Sequence, residues 1–506
     1  IEINNFYTVT VYEKGAEVVR MQANLLGPAV FRQATDLYFA RHDGQAVTTG
    51  DFVRGMADAS GIDLGQLQHW YDLAGTPRVA VNGTYDAQRQ TYTLEFEQSV
   101  PDTPRQRDKP PFLIPVVTGL VGRDGTDMPV TLDATGETGT QHTLRLTERR
   151  QSVVFSGVPE EPVPSLLRGF SAPVRLEFDY SDEQLMFLMA RDNDGFNRWD
   201  AAQSLSRRGL LSLAADAASG QPVVVPEGLV TAFSTALADA EADPALLAEV
   251  LGLPSLGYLG DFMDVVDVEA LHCAREAVRM AVGEQLSGAL VDLYRKLDGD
   301  AVYQPTPEQI GRRSLKNRAL SYLVAANSDV GLQLCIEQYQ AQHNMTDVMA
   351  ALTLIADGDH PQRVEVLADF ETRWQQDALV MDKWFAVQAM SSRADTLQRV
   401  TELMSHPVFS MRNPNKIRSL IGAFANGNPV RFHAADGSGY RFLRGQVLAL
   451  DPDNPQIAVR LLSAVSRWKR YDPVRQQGMR EALETVLASK VSKDVYEIAA
   501  KSLKPD

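Results

Sequence analysis

The sequence predicts a multidomain α+β protein in three parts: a helical segment over 1–75, a β-sandwich over 76–180, and an all-helical, solenoid-like (superhelical) domain over 181–506. Three observations predict it. At 506 residues the chain is longer than one hydrophobic core supports. After Thr76–Pro77 the apolar residues change from helical spacing to a period of two, and from about Asp182 onward they return to helical spacing and keep it.

In the first part, VVRMQANLL and AVFRQATDLYF each carry an apolar stripe at helical spacing, and Gly27–Pro28 breaks the run between them. Thr48, Thr49 and Asp51 supply cap chemistry before DFVRGMADASG, and LGQLQHWYDLAG reads as one more short helix ending at Gly75. In the second part, RVAVNGTYDAQRQTYTLEFEQ alternates apolar and polar residues, with Asn82–Gly83 as the expected turn. LIPVVTGLV, HTLRLTERRQSVVF and APVRLEFDY continue that alternation, and Pro101, Pro104, Pro110 and Pro111 fall between strands, which together predict a sandwich of about 100 residues. The third part strings together amphipathic helices such as RWDAAQSLSRRGLLSLAADA and AREAVRMAVGEQLSGALVDLYRKL with short loops, as in stacked helix pairs, although no strict fixed period is visible.

The bulk numbers exclude some classes. A formal charge of −16 argues against a nucleic-acid partner, which calls for a basic face, and leaves room for neutral or cationic ligands. No apolar run approaches the roughly 20 residues that cross a bilayer, and the amino end shows no basic-then-apolar leader, so no membrane partner and a cytoplasmic location are expected. The two cysteines, Cys273 and Cys335, form no C-x-x-C pair and read as buried thiols. The chain opens at Ile1 in what reads as the middle of a structured segment, so it is expected to be the later portion of a longer polypeptide. Gly437-Ser438-Gly439 reads as a turn, and His42–Asp43 and His360 as loop residues.

One segment carries specific chemistry. NNFYTVTVYEKGAEV, residues 4–18, contains Tyr12-Glu13-Lys14-Gly15 and resembles the Tyr-x-Lys-Gly signature of the gluzincin zinc aminopeptidases; its longer form resembles the bacterial alanyl aminopeptidase (aminopeptidase N) family. FSAPVRLEF, RWDAAQSL, Leu379-Val380-Met381-Asp382-Lys383-Trp384 and NPNKIRSLIGAFANGNPVRFHAADGSGYRFL extend the resemblance over essentially the whole chain. The resemblance implies that the first part is the helical end of a thermolysin-like catalytic domain. It implies one zinc ion, held by an H-E-x-x-H helix and a later glutamate, with the motif's glutamate as general base. The eight histidines here include no such pair, and the family's G-x-M-E-N segment is absent, so the metal ligands are expected upstream of Ile1.

By the same resemblance, Tyr12 is the catalytic tyrosine, donating its O–H to the oxyanion of the tetrahedral intermediate. Taken alone, a tyrosine is more often a packed aromatic. Asn4 and Tyr7 match positions lining the first side-chain pocket, Tyr7 as an apolar wall without charge selection. Glu13 and Lys14 are expected to pair structurally, and Gly15 to permit close backbone approach. Arg418, Gln456 and Arg460 match substrate-binding residues of the C-terminal domain, where they would grip a short peptide's carbonyls or carboxylate as the helical domain covers the cleft. The implied protein is a monomeric aminopeptidase acting on short peptides, with a broad preference for alanine, arginine, lysine and other neutral or basic residues. The alternative is a non-enzymatic helical-repeat scaffold that binds protein partners.

Overall fold

A positive-φ glycine followed by proline ends one helix and starts the next, and Gly27 (φ 73°) with Pro28 does this between α1 (Gly15–Leu26) and α2 (Pro28–His42). The computed structural model that shows this describes residues 8–238, 243–299 and 302–504. Next come α3 (Thr49–Ser60), a 3₁₀ turn at Gly65–Gln68 and the short α4 (His69–Asp72). Thr48 caps α3 as its sequence suggests: its N–H and hydroxyl donate to the Asp51 carboxylate at 2.8 and 2.7 Å. Those bonds hold that carboxyl at a pKa of about 2.

Nine strands follow: β1 (Arg78–Asp86), β2 (Thr91–Ser99), β3 (Ile114–Val121), β4 (Val130–Leu132), β5 (Glu137–Gly139), β6 (His142–Leu146), β7 (Arg150–Ser156), β8 (Val163–Leu166) and β9 (Arg175–Glu177). They form a six-stranded sheet ordered β5-β4-β7-β2-β1-β9 and a three-stranded sheet ordered β6-β3-β8. Among these strands only the β1–β9 pairing is parallel. Inward residues of both sheets, among them Val79, Leu94, Phe96, Ile114, Leu144 and Phe155, share one core with Val18, Met21, Met56 and Trp70 of the helices. The β-sandwich is therefore present, and the helical segment packs into its core.

Two details of the strand reading are corrected. Asn82–Gly83 is not a turn: β1 runs through it, with Asn82 opposite Glu95 and Gly83 opposite Leu94. The glycine is there because the Tyr92 phenol lies where a Cβ at 83 would be. The real turn is at 87–90, where the Asp86 carboxylate accepts from the N–H groups of Gln88 and Arg89 at 2.9 and 3.1 Å. Nor does LIPVVTGLV alternate, because β3 is buried along its whole length in the centre of its sheet. HTLRLTERRQSVVF divides between the two sheets as β6 and β7.

Helices α5 (Asp182–Arg191) and α6 (Gly195–Ala218) follow the strands. A buried network joins the start of this region to the sandwich. The Arg168 guanidinium fills the space over Gly119 that a side chain would take and donates to Asp127 at 2.6 and 2.9 Å and to Asp192 at 3.3 Å. Asn197 Nδ2 donates to Ser165 Oγ and the Leu166 carbonyl, and the Asp194 carboxylate accepts from the Gly169 N–H.

The chain divides into two compact units, the first ending at Leu205 and the second beginning at Ser206. All named elements of the second unit are helices. Side-chain caps mark many of their starts: Thr306, Ser328, Asn344, Asp377, Asn413, Asn428, Asn454, Asp472 and Ser492 each accept from an N–H in the first turn. Successive helices pack on one another, as Pro307–Ala325 does on Asp329–Ala341 and Met345–Asp357. Gly437-Ser438-Gly439 is the entry to helix Ser438–Leu450 rather than a free turn, and the Phe432 carbonyl occupies the place of a Cβ at Gly439. Cys335 is buried as expected, whereas Cys273 is exposed. Among the described residues no helix is long and apolar enough to cross a membrane.

Candidate active site and family membership

Tyr12 sits on a π-helical turn, Thr10–Lys14, that runs directly into α1. The Gly15 N–H reaches back five residues to the Thr10 carbonyl, and the Val11 and Tyr12 N–H groups donate to the Thr8 carbonyl at 3.1 and 3.0 Å. An extra residue is thus held inside a helical turn, a feature often found at functional sites. Tyr12 is 56% exposed among the described residues. Lys14 takes the other side of the turn. Its Nζ donates to the Gly75 carbonyl at 2.8 Å and lies 5.8 Å from the centre of the Trp70 ring, and burial lowers its pKa. Its partner is thus a backbone carbonyl at the end of the helical segment and not Glu13. Gly15 does not mediate a close approach among the described residues: a Cβ there would meet only the Thr10 oxygen, at 3.9 Å.

Three other candidates lie in the second unit, and all three are exposed. Arg418 opens a π-helical turn, Arg418–Gly422, set between helices Pro414–Ile417 and Ala423–Gly427. Beside it, Lys416 is buried, with Nζ 2.8 Å from both the Ala378 carbonyl and the Asp382 carboxylate. The Ser419 hydroxyl donates to the Lys416 carbonyl at 3.1 Å. Gln456 and Arg460 are four apart on helix Pro455–Leu462, hence on one face of it. The Arg418 turn packs on helices Ala378–Ala389 and Thr396–Leu403, and the Gln456 helix on Ser438–Leu450 and Lys493–Leu503. Asn4 and Tyr7 lie outside the described residues. Among the described residues no three His, Cys, Asp or Glu side chains are grouped to hold a metal ion, so the donors present do not fit a zinc site.

Comparison with known proteins gives the frame for this geometry. Over 504 residues, 99% of the chain, the sequence is 42% identical to aminopeptidase N of Escherichia coli and 39% identical to that of Haemophilus influenzae. Residues 1–71 match the peptidase family M1 domain, 75–179 a domain of unknown function with an Ig-like fold, and 182–504 a domain of unknown function made of ARM repeats. The chain belongs to the bacterial aminopeptidase N family. It spans 58% of the E. coli aminopeptidase N and corresponds to the C-terminal portion of the family. A crystal structure of Legionella pneumophila aminopeptidase A in complex with aspartic acid superposes with a TM-score of 0.85 at 29% identity, covering 99% of this chain and 57% of that one.

The π turn and its Tyr12-Glu13-Lys14-Gly15 motif thus fall in the M1 segment, and Arg418, Gln456 and Arg460 in the ARM-repeat segment of this aminopeptidase N relative. Reading the sequence missed the residues that lie against these turns: Gly75 and Trp70 under Lys14, and the Lys416–Asp382 pair beside Arg418. Both lysines stand within the matched motifs, and that is the only trace of them in the sequence. Their partners are 61 and 34 residues distant, beyond any periodicity or cap rule.

Proposed function

We propose that this chain is the C-terminal part of a broad-specificity zinc aminopeptidase that releases alanine, arginine, lysine and other neutral or basic residues from the amino end of peptides. The supporting observation is Tyr12, exposed on a π turn within a Tyr-x-Lys-Gly motif inside the M1 segment. As water attacks a peptide carbonyl, negative charge grows on its oxygen, and a fixed phenol O–H aimed there stabilises the transition state more than the ground state. The family's zinc ion would be held by residues outside this chain, because the donors described here form no site for it. Arg418, Gln456 and Arg460 would supply donors to peptide carbonyls or a carboxylate, and Asn4 and Tyr7 would line the first side-chain pocket. A monomer acting on short peptides in the cytoplasm, without nucleic-acid or membrane partners, completes the reading.

The test uses the complete enzyme. Tyr12→Phe is expected to lower kcat by about 10²-fold or more, the loss typical of one oxyanion donor, with zinc content unchanged. A kcat within about threefold of wild type would remove Tyr12 from the mechanism. Comparing alanine, arginine and aspartate amides tests the substrate class: faster turnover of the aspartate amide would overturn the neutral and basic preference. Arg418→Ala and Arg460→Ala should raise KM for tripeptides more than they lower kcat. The scaffold reading draws on the ARM-repeat match alone, and it gains only if the complete protein hydrolyses no amide.

A further inference from the structure

We propose that Lys14 is a positioning residue for Tyr12: its ammonium ties the π turn that presents the phenol to the Gly75 carbonyl, where the helical segment meets the sandwich. The proposal rests on the reading of Tyr12 as oxyanion donor.

The anchor under Lys14 is itself fixed from several sides. Gly75 has φ 102°, a value that suits only glycine, and Val100 and Pro101 lie within 3.5 Å of where its Cβ would stand. On the adjoining residue, the Ala74 N–H donates to Gln106 Oε1 at 2.7 Å, and the Ala74 carbonyl accepts from the buried Lys109 Nζ at 2.8 Å. Lys109 is held in turn by the Pro101 carbonyl at 2.6 Å and Thr103 Oγ1 at 2.9 Å. Trp70, beneath the Lys14 ammonium, is locked by its indole N–H on the Leu113 carbonyl at 2.9 Å and by an edge-to-face contact with Phe112. The Gly75 carbonyl therefore offers Lys14 an acceptor with a set position and direction.

The other end of the tether is a turn that needs holding. A π turn carries one residue more than α geometry allows and is a less common arrangement. Relaxing it to α geometry would swing the residues before it by about 100° around the helix axis, the angle that one residue occupies in an α-helix. Tyr12 lies two positions before Lys14, inside that turn, so its phenol would move with it. Lys14 has no carboxylate partner among the described ion pairs, and its bond to a neutral carbonyl is set by direction and distance, as a positioning contact requires. Misplacement of a catalytic group by about 1 Å can cost on the order of 10²-fold in rate, so a tether 2.8 Å long is of the right scale to matter.

The experiment is a double-mutant cycle in the complete enzyme, with Lys14→Met, Tyr12→Phe and both together, read as kcat and KM on an alanine amide, with zinc content and Tm for each. Lys14→Met is expected to lower kcat by about 10- to 100-fold with KM and zinc content close to wild type, because the loss falls on the transition state. In the Tyr12→Phe background the same substitution should lower kcat by less than about threefold, since the donor it positions is already gone. Lys14→Arg, which keeps a cationic donor, should recover most of the rate, and Lys14→Gln is the substitute if the methionine variant does not fold. An unchanged kcat for Lys14→Met, or an undiminished loss in the Tyr12→Phe background, overturns the positioning role. If Tyr12→Phe alone leaves kcat intact, the oxyanion reading fails first and takes this proposal with it.

Discussion

The Tyr92 phenol covers Gly83 so closely that any side chain there would overlap it. Gly83→Ala should therefore destabilise the chain by about 1–3 kcal/mol, as overpacking does, although the residue lies on an exposed stretch of strand. A urea midpoint equal to wild type would show that Tyr92 moves aside freely. Gly15 behaves differently: its φ is −61° and its Cβ direction is open among the described residues, so an alanine there should leave Tm unchanged or slightly raised. His433 sets a pH dependence. Its ring is buried, bonded by Tyr440 and Tyr471, and burial together with the Arg475 charge lowers its pKa to about 3. An unfolded histidine titrates near 6.5, so between about pH 6.5 and 3 the unfolded chain binds a proton that the folded chain refuses. Stability should fall with acidification across that window, and His433→Gln should lose less between pH 7 and 5 in urea titrations. An equal loss in both proteins would assign the slope to other groups.

Elements were legible where a local rule fixes them. The Gly27–Pro28 break, the Thr48 cap of α3 and the change of period at Thr76–Pro77 follow from the backbone needs of two or three neighbouring residues. The Asn82–Gly83 reading failed because the turn rule weighs a dipeptide by its neighbours in sequence, whereas a residue nine positions away, Tyr92, decides it. The π turns at Thr10–Lys14 and Arg418–Gly422 were illegible for the same kind of reason: each spans only five residues, too few for a shift of phase to show in the apolar pattern, and the lysine at or beside each turn bonds to a partner far away in sequence. Beside the second turn, Lys416 meets the Asp382 carboxylate. Lys416→Met alone should cost about 3–5 kcal/mol by leaving the partly buried carboxylate unpaired, and adding Asp382→Leu should recover much of it. If the double variant is less stable than the single one, the pair does more than neutralise itself.

For the whole molecule, the order of helical segment, sandwich and helical array was readable because it depends on period and length, which survive without any knowledge of partners. The stacking repeat was not readable, because its helices vary from Pro414–Ile417 to Gly195–Ala218 and no fixed spacing accumulates. Of the candidate site, the motif around Tyr12 was legible as a resemblance, whereas its supports were not. The histidines are spread from His42 to His433, and the described donors form no metal group, so the purified chain should contain far less than one zinc per molecule. Stoichiometric zinc that survives dialysis would point to a donor set not seen here.

The unequal exposure of the two cysteines turns the second unit into its own reporter. Cys273 is open to solvent, whereas Cys335 is buried with its sulfur 3.6 Å from the Ala351 carbonyl and its thiol pushed up to about 12. Because only a thiolate alkylates, a maleimide should add one mass increment quickly and a second only when helix Asp329–Ala341 separates from Met345–Asp357. The interval between the two additions, read by mass spectrometry, would clock how often that layer of the helical array breathes, with no engineered label.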